Sequence, residues 1–252
     1  MVVDAEHGRV VIVRAPMAPM AMLALGVAFA ASVWVGVCVA GCALLSILYS
    51  HPRTAWKGHA ALGPLTNALG YGVLSPIGGF SLTGFAPTIR GGLVVLVALP
   101  WMLSAYFAAQ AFQQEDDRAR GYRTLVATHG PIVTLRLTRA LFWVGLLATI
   151  ALAATGVLPR LALVPMPLFF FVDRHLVRWM AAPGGGDASW AGRFFARLAL
   201  ITALVVAFVS LDYEISMRTR SLPGGLTTAS GLFEVRACEG QWPAFVRETR
   251  SR

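Results

Sequence analysis

The residues of this chain with the clearest chemical potential lie in one short segment, QQEDDRARGYRTL, Gln113–Leu125. Its charged members are three consecutive acids and three arginines, Glu115, Asp116, Asp117, Arg118, Arg120 and Arg123. No other carboxylate occurs between His7 and Gln114. Such a concentration of charge in so apolar a chain predicts either a functional cluster or a solvated loop of mixed charge.

The composition places this segment in a membrane protein. The 252 residues are 57% hydrophobic and only 13% charged, whereas soluble domains carry about 25% charged residues. The net charge of +9 is explained by arginine in cytoplasmic loops. No basic stripe alternates with exposed aromatic residues, so nucleic acid is not an expected partner. The three cysteines indicate no disulfide framework.

The apolar pattern predicts an all-α membrane protein, a multi-span helical bundle of about seven transmembrane helices. The seven predicted spans are Ala18–Val33, Val35–Tyr49, Leu62–Phe85, Gly91–Phe112, Thr134–Thr155, Val157–Val172 and Phe194–Leu211. The third contains Pro76, Gly78 and Gly79, so we expect it to be kinked or broken. Residues 1–213 form the predicted transmembrane domain, and residues 214–252 form an irregular polar C-terminal tail.

The distribution of basic residues predicts how the bundle is oriented. If the N-terminus is cytoplasmic, thirteen Lys and Arg residues lie on that side, and the connecting loops opposite hold only Arg90 and Arg160. Basic loops stay in the cytoplasm, so we expect His51–His59, Glu115–Arg136 and Asp173–Arg193 there. The expected location is a bacterial inner membrane, which the chain crosses several times.

Two segments resemble the UbiA-type intramembrane prenyltransferases. The family's second signature runs Asp, three residues, Asp, three residues, Gly, two residues and Thr, with a Gly downstream. In DDRARGYRTLVATHG the matching positions are Asp117, Gly121, Thr124 and Gly130. Gln113 stands at the first aspartate, on the same helix face as Asp117. A second segment, YSHPRTAWKGHAALGPLTNALGYG at Tyr49–Gly72, is similar to the family's stretch after its fourth helix.

The resemblance implies a nine-helix fold, of which the seven predicted spans correspond to helices three to nine. The family's first aspartate-rich signature follows its second helix. Asp4 is therefore the position expected to represent that signature in this chain.

The resemblance also implies Mg²⁺-dependent transfer of a polyprenyl group from an allylic prenyl diphosphate to an aromatic or lipid acceptor. Mg²⁺ and basic side chains would stabilise the departing diphosphate, and an apolar cavity would shield the allylic cation from water. The expected catalytic residues are Asp117 and Asp116, and the expected metal ligands are Asp117, Asp116, Glu115, Gln113 and Asp4. The expected substrate contacts are Arg118, Arg123, Lys57, Arg53, Asn67 and Tyr49. Besides the two substrates, membrane lipid is the expected partner.

Gln113 in place of an aspartate keeps a second function open. The chain would then be a catalytically inactive member of the family that binds lipid or serves as a scaffold. A transporter is disfavoured, because the charges lie at a helix end and not at the middle of the membrane. Two of the substrate residues have other roles available: Asn67 can join two helices by a hydrogen bond, and Tyr49 can lie in an interfacial aromatic belt.

Overall fold

Helices make up nearly all of the structure, a computed structural model that describes residues 2–3, 10–11, 17–82 and 88–220. The strand content of these residues is one short antiparallel pairing, Val2–Val3 with Val10–Val11. The all-α prediction is therefore confirmed. The α-helices of the described residues are α1 (Met17–Ala31), α2 (Val33–Ser50), α3 (Leu62–Asn67), α4 (Ser75–Leu82), α5 (Ile89–Gln110), α6 (Gln114–Ala119), α7 (Leu125–Ala154), α8 (Phe169–Met180) and α9 (Ala188–Arg220).

Several of the described helices can cross a membrane. Four are long and apolar enough, namely Val33–Ser50, Ile89–Gln110, Leu125–Ala154 and Ala188–Ser216, and Pro19–Ala31 is a shorter apolar helix. A multi-pass membrane protein is thereby confirmed, and the count of seven spans stays a prediction. The first two helices are separated by Ser32 alone, whose backbone is extended. A Cβ at Gly36 would collide with the Phe29 ring, so glycine permits this tight turn.

The third predicted span is helical from Leu62 to Leu82 but irregular. A π-helical segment, Ala68–Leu74, separates α3 from α4. Pro76 follows directly, and because proline lacks an N–H and crowds the carbonyl one turn earlier, a regular α-helix cannot pass through it unchanged. The predicted irregularity is confirmed on the N-terminal side of Pro76, while the predicted end at Phe85 lies outside the described residues.

Helices α5 and α7 pack closely against each other in the centre of the bundle. Trp101 Nε1 on α5 donates a hydrogen bond to Thr149 Oγ1 on α7 at 3.0 Å. One turn along, Ser104 Oγ donates to the carbonyl of Thr138 at 3.0 Å. Lipid offers no partner for such groups, so both hydrogen bonds favour this one pairing of the two helices.

The sixth predicted span, Val157–Val172, is wrong. The segment contains two 3₁₀ turns, Arg160–Leu163 and Met166–Leu168, and α8 begins only at Phe169. Its hydropathy predicts a helix, but three prolines interrupt the backbone hydrogen bonding that a helix needs. These prolines are Pro159, Pro165 and Pro167.

Helix α8 is short and amphipathic and runs antiparallel to α7. Its first residue, Phe169, contacts the Phe142 ring with centroids 5.8 Å apart. One turn later Asp173 binds Arg139, which lies before Phe142 on α7. Near its end, Trp179 packs on Phe194 of α9 with centroids 6.3 Å apart. The buried face of α8 therefore joins α7 and α9 in the main hydrophobic core.

Helix α9 passes the predicted boundary between the transmembrane domain and the tail. Residues 214–220 continue this helix to Arg220, although an irregular tail is predicted from residue 214. Residues 221–252 lie outside the described part of the chain. The apolar run from Phe194 to Leu211 lies entirely within α9, as predicted.

Candidate functional site

The charged segment folds as a short helix, α6, between the two central helices. The chain leaves α5 at Gln110, forms α6 over Gln114–Ala119 and enters α7 at Leu125. Gly121 has φ of +70°, a left-handed conformation that favours glycine, and it turns the chain after α6. Thr124 caps α7, because its Oγ1 accepts a hydrogen bond from the Ala127 N–H at 3.3 Å. The Gly and Thr of the signature therefore have clear structural roles.

Asp117 is the one acid of the cluster that points into the protein. Its exposed fraction is 7%. The buried hydroxyl of Thr124 donates to Asp117 Oδ2 at 2.6 Å, and the Asp117 carbonyl accepts from the Tyr122 N–H at 2.9 Å. A carboxylate oriented in this way is unlike a loop residue in solvent, so the reading of Asp117 as part of an ordinary charged loop is disfavoured.

Glu115 and Asp116 are both exposed, in contrast to Asp117. Successive residues of a helix point about 100° apart, so three consecutive side chains cannot face one pocket together. Gln113 lies at the N-terminal cap of α6, where its carbonyl accepts from the Asp117 N–H at 2.9 Å. The structure thus separates the predicted ligands into one buried acid and two surface acids.

Arg118 is engaged with the protein itself. Its Nε donates to the carbonyl of Ala127, at 3.1 Å, in the first turn of α7. The side-chain oxygen of Gln114, with the amide in its favoured orientation, accepts from Arg118 Nη2 at 2.7 Å. These bonds hold α6 against α7, which is a structural role in addition to the predicted contact with substrate.

The loop between α2 and α3 lies directly against the cluster. The Arg123 N–H donates to the Gly58 carbonyl at 2.7 Å, and His59 and Arg123 form an isolated parallel bridge. The Lys57 ammonium lies 5.8 Å from the centroid of the Tyr122 ring. The two sequence segments that resemble the family are therefore adjacent in space, as is required if they form one site.

Arg123 and Arg53 differ in how far their placement supports the predicted roles. Both side chains are exposed. The Arg123 backbone is fixed to the facing loop at Gly58, so its guanidinium starts from a defined place beside Lys57. The Arg53 N–H bonds His51 Nδ1 at 3.3 Å within its own loop, and its contact with substrate stays a prediction.

A network of polar side chains beneath the cluster was missed by the sequence reading. The Tyr106 hydroxyl on α5 accepts from Gln110 Nε2 at 2.8 Å. Tyr49 of α2 and Asp117 both lie near enough to interact electrostatically with this hydroxyl. A Cβ at Gly63 would lie 2.5 Å from this hydroxyl, so α3 approaches it closely. Tyr106 and Gln110 are four residues apart at the end of an apolar span, a spacing that could have indicated them.

Tyr49 is thereby placed in the network, as its predicted role requires. Asn67 is placed differently: its Nδ2 donates to the Gly63 carbonyl of the same helix at 2.9 Å. This bond lies within α3, so the alternative of a bond between two helices does not describe it. Asp4, the remaining predicted ligand, lies outside the described residues.

Magnesium is the metal that the resemblance implies. No group of three His, Cys, Asp or Glu side chains in the described ranges is placed to hold a metal ion. Mg²⁺ needs no such cage, since it keeps several waters and binds through one or two carboxylates and substrate phosphates. Asp117 fits this requirement. Gln110 Oε1 is a second hard oxygen, buried and without a hydrogen-bond partner among the described residues.

Taken together, one end of the bundle presents a fixed carboxylate, a basic loop and several hydroxyl groups at the boundary of apolar helices. The carboxylate suits a hard cation, and the cations of Lys57 and Arg123 suit an anionic group. Such an arrangement can bind a phosphorylated molecule whose remaining part is apolar.

Comparison with known proteins identifies the family of this chain. The UbiA prenyltransferase family, described by its sequence profile, matches residues 11–198. Among solved structures, the chain is similar to a UbiA homolog from Archaeoglobus fulgidus bound to GPP and Mg²⁺, with 18% sequence identity and a TM-score of 0.52. The match covers 76% of this chain and 68% of that chain. No curated protein matches. At 18% sequence identity, the solved structure supports the fold alone. The family profile covers most of the chain, and the chain therefore belongs to the UbiA prenyltransferase family.

Proposed function

We propose that this protein transfers a polyprenyl group from an allylic prenyl diphosphate to a hydrophobic acceptor, in a Mg²⁺-dependent reaction at the cytoplasmic face of a membrane. Family membership supports prenyl transfer in general. The similar protein from Archaeoglobus fulgidus binds GPP and Mg²⁺, and GPP is a prenyl diphosphate. We extend both properties to this chain, and we place it in a bacterial inner membrane from its basic loops.

The observation that carries the proposal is the state of Asp117. This carboxylate is 7% exposed, is oriented by the Thr124 hydroxyl at 2.6 Å, and belongs to the same end of the bundle as Lys57. Burying a carboxylate in an apolar protein is costly unless it has a partner or binds a cation. Binding of a cation by this carboxylate would offset the cost of burying its charge.

The proposed roles follow from the positions of the side chains. Asp117 would hold the cation, with Thr124 as its positioning residue, and Gln110 Oε1, which is buried without a hydrogen-bond partner among the described residues, would be a candidate neutral ligand. Bound Mg²⁺ would neutralise negative charge on the diphosphate as it leaves. Lys57 and Arg123 would bind the diphosphate oxygens from the facing loop. Glu115 and Asp116, being exposed, would contribute to the local field and assist the metal less directly.

The chemistry then requires one bond to break and one to form. The bond between the allylic carbon and the diphosphate oxygen breaks, and both electrons leave with the diphosphate. A nucleophilic atom of the acceptor bonds the allylic carbon and afterwards releases a proton. Fixed positive charge from Lys57 and Arg123 stabilises the transition state, because charge develops on the leaving group there. The apolar helices would keep water from the allylic carbocation.

A non-catalytic role is the second candidate, and one observation favours it. Gln113 stands where the family signature has an aspartate, so a neutral amide replaces one expected carboxylate ligand. A protein with this property can bind a prenyl diphosphate or another lipid without transferring it.

The test separates the two candidates by measuring binding and turnover in the same preparation. Purified protein in liposomes is given prenyl diphosphates of increasing length, with and without Mg²⁺, together with aromatic and lipid acceptors. Transfer predicts Mg²⁺-dependent diphosphate release, which Arg123→Ala should reduce and Arg160→Ala should leave unchanged. Binding without release would establish the non-catalytic role, and absence of both would contradict each candidate.

A further inference from the structure

A second basic site lies along the exposed face of α8. A cavity of about 330 Å³ is lined by Phe170, Asp173, Arg174, Val177 and Arg178. These residues recur at helical spacing, so they form one stripe of the helix. None of them was assigned to the diphosphate site. We call this cavity the α8 groove.

The acid in the α8 groove is already neutralised. Arg139 Nε donates to Asp173 Oδ1 at 2.6 Å, and Arg139 Nη2 donates to Asp173 Oδ2 at 3.0 Å. Trp143 Nε1 adds a third bond to Asp173 Oδ1 at 2.8 Å. A planar, two-point pairing of this kind balances the charge of the carboxylate. Asp173 is thus not an unpaired anion in the groove.

Arg174 and Arg178 remain as the free charge of the α8 groove. Both side chains are exposed. The salt bridge found within the described ranges is Arg139–Asp173, and neither of these two arginines takes part in an ion pair there. They lie four residues apart, so their guanidinium groups share one face of α8 and can converge on a single anion.

The apolar members of the α8 groove lie beside its arginines on the same exposed face. Phe170 is 58% exposed and Val177 is 43% exposed, on a helix that packs within a bundle of membrane-spanning helices. Arg139 follows Pro131 by eight residues of α7, which is about 12 Å of helix from the kink. Because α8 is antiparallel to α7, Arg178 lies nearer the loops than Arg174 and Phe170 lies deeper. The groove therefore begins at Phe170 on its inner end, and both of its arginines lie farther out.

We propose that the α8 groove binds an anionic glycerophospholipid. Arg174 and Arg178 bind the headgroup phosphate, Val177 packs beside them, and Phe170 contacts an acyl chain. Unpaired charge at membrane depth is costly, and a guanidinium fork matches phosphate oxygens closely. A zwitterionic lipid is a weaker ligand, because its own headgroup cation is repelled by the same arginines. Phe170, the innermost residue of the groove, lies where an acyl chain would run, and both arginines lie nearer the headgroup layer.

Native mass spectrometry of the detergent-solubilised protein tests this assignment. The wild-type protein is titrated separately with phosphatidylglycerol, phosphatidylcholine and inorganic phosphate. The R174Q/R178Q variant is compared with R90Q/R160Q, which also loses two exposed arginines but leaves the groove intact. Each arginine near an anionic membrane surface adds to the free energy of lipid binding. Loss of both in R174Q/R178Q should therefore weaken phosphatidylglycerol binding about thirtyfold, whereas R90Q/R160Q should leave it unchanged.

Three results would overturn the proposal. They are equal binding of phosphatidylglycerol and phosphatidylcholine, an equal loss in both double variants, and competition by inorganic phosphate at the lipid's own concentration. If R174Q/R178Q does not fold, the wild-type protein decides the question by itself. Its phosphatidylglycerol affinity should fall as salt is raised, because charges at an exposed site are screened, and an affinity independent of salt would contradict the role of the arginines.

Discussion

Replacement of Thr124 by valine is the perturbation that most directly probes how Asp117 is held. One hydroxyl makes two bonds at this position. It donates to Asp117 Oδ2 at 2.6 Å and accepts from the Ala127 N–H at 3.3 Å. Valine has nearly the same shape, so Thr124→Val removes both bonds without leaving a cavity. The buried carboxylate and the first turn of α7 then each lose a partner.

The expected cost follows from these two losses. A hydrogen bond to a charged group contributes about 1.5–3 kcal/mol, and loss of an N-cap costs about 0.5–2 kcal/mol. Since a single hydroxyl makes both bonds, we expect Thr124→Val to lower the free energy of unfolding by about 2–4 kcal/mol. A less well oriented Asp117 should also weaken Mg²⁺-dependent binding of a prenyl diphosphate by at least about tenfold.

Two matched variants make the experiment decisive. Thr124→Ser keeps the hydroxyl and should retain most of the stability and binding. Thr128→Val removes a hydroxyl that bonds only backbone carbonyls of its own helix and the His129 ring, and it should cost less than about 0.5 kcal/mol. The assays are thermal unfolding in detergent and isothermal titration with prenyl diphosphate. Equal effects of Thr124→Val and Thr128→Val would refute the role given to the Thr124–Asp117 bond.

Three further predictions concern an ion pair between helices, a turn after α6 and the orientation in the membrane. Arg139→Ala leaves Asp173 buried with Trp143 as its remaining donor, so thermal unfolding should show that the free energy of unfolding falls by roughly 2–4 kcal/mol. A fall of less than about 1 kcal/mol would contradict this role of Arg139. Gly121→Ala forces a side chain into a left-handed conformation and should cost about 1–2 kcal/mol in the same assay, whereas Gly192→Ala on α9, where a Cβ meets nothing within 4 Å, should be neutral or stabilising. Single cysteines placed at 51–59, 115–124 and 181–187 should all be labelled from the cytoplasmic side, and labelling of any one from outside would exclude the proposed orientation.

The sequence predicts most of the fold because hydropathy dominates in a membrane protein. The apolar runs that became α2, α5, α7 and α9 are recognised from length and composition alone. The segment before α8 fails this test, since its hydropathy is high while its prolines exclude a continuous helix. The helical end of α9 is not predicted for the opposite reason: residues 214–220 are mostly polar, and polar residues do not by themselves end a helix.

The site was predicted in part, and the limit is geometric. The motif spacing identifies Asp117, Gly121 and Thr124, and the structure gives each of them a defined role. The sequence includes Glu115 and Asp116 with Asp117 among the predicted ligands, but the direction of each side chain is fixed only when α6 packs against α7. The Tyr106 network depends on α2, α3 and α5 meeting, which no local pattern records.

The central claim is that Asp117 binds a divalent cation together with a prenyl diphosphate. The direct measurement is the affinity of the folded protein for a prenyl diphosphate, with and without Mg²⁺, in wild type, Asp117→Asn and the exposed neighbour Asp116→Asn. We expect Mg²⁺ to tighten binding in the wild type, Asp117→Asn to lower the Mg²⁺-dependent affinity by more than about a hundredfold, and Asp116→Asn to lower it much less. Both variants should keep the thermal stability of the wild type. An unchanged Mg²⁺-dependent affinity in folded Asp117→Asn would contradict the account.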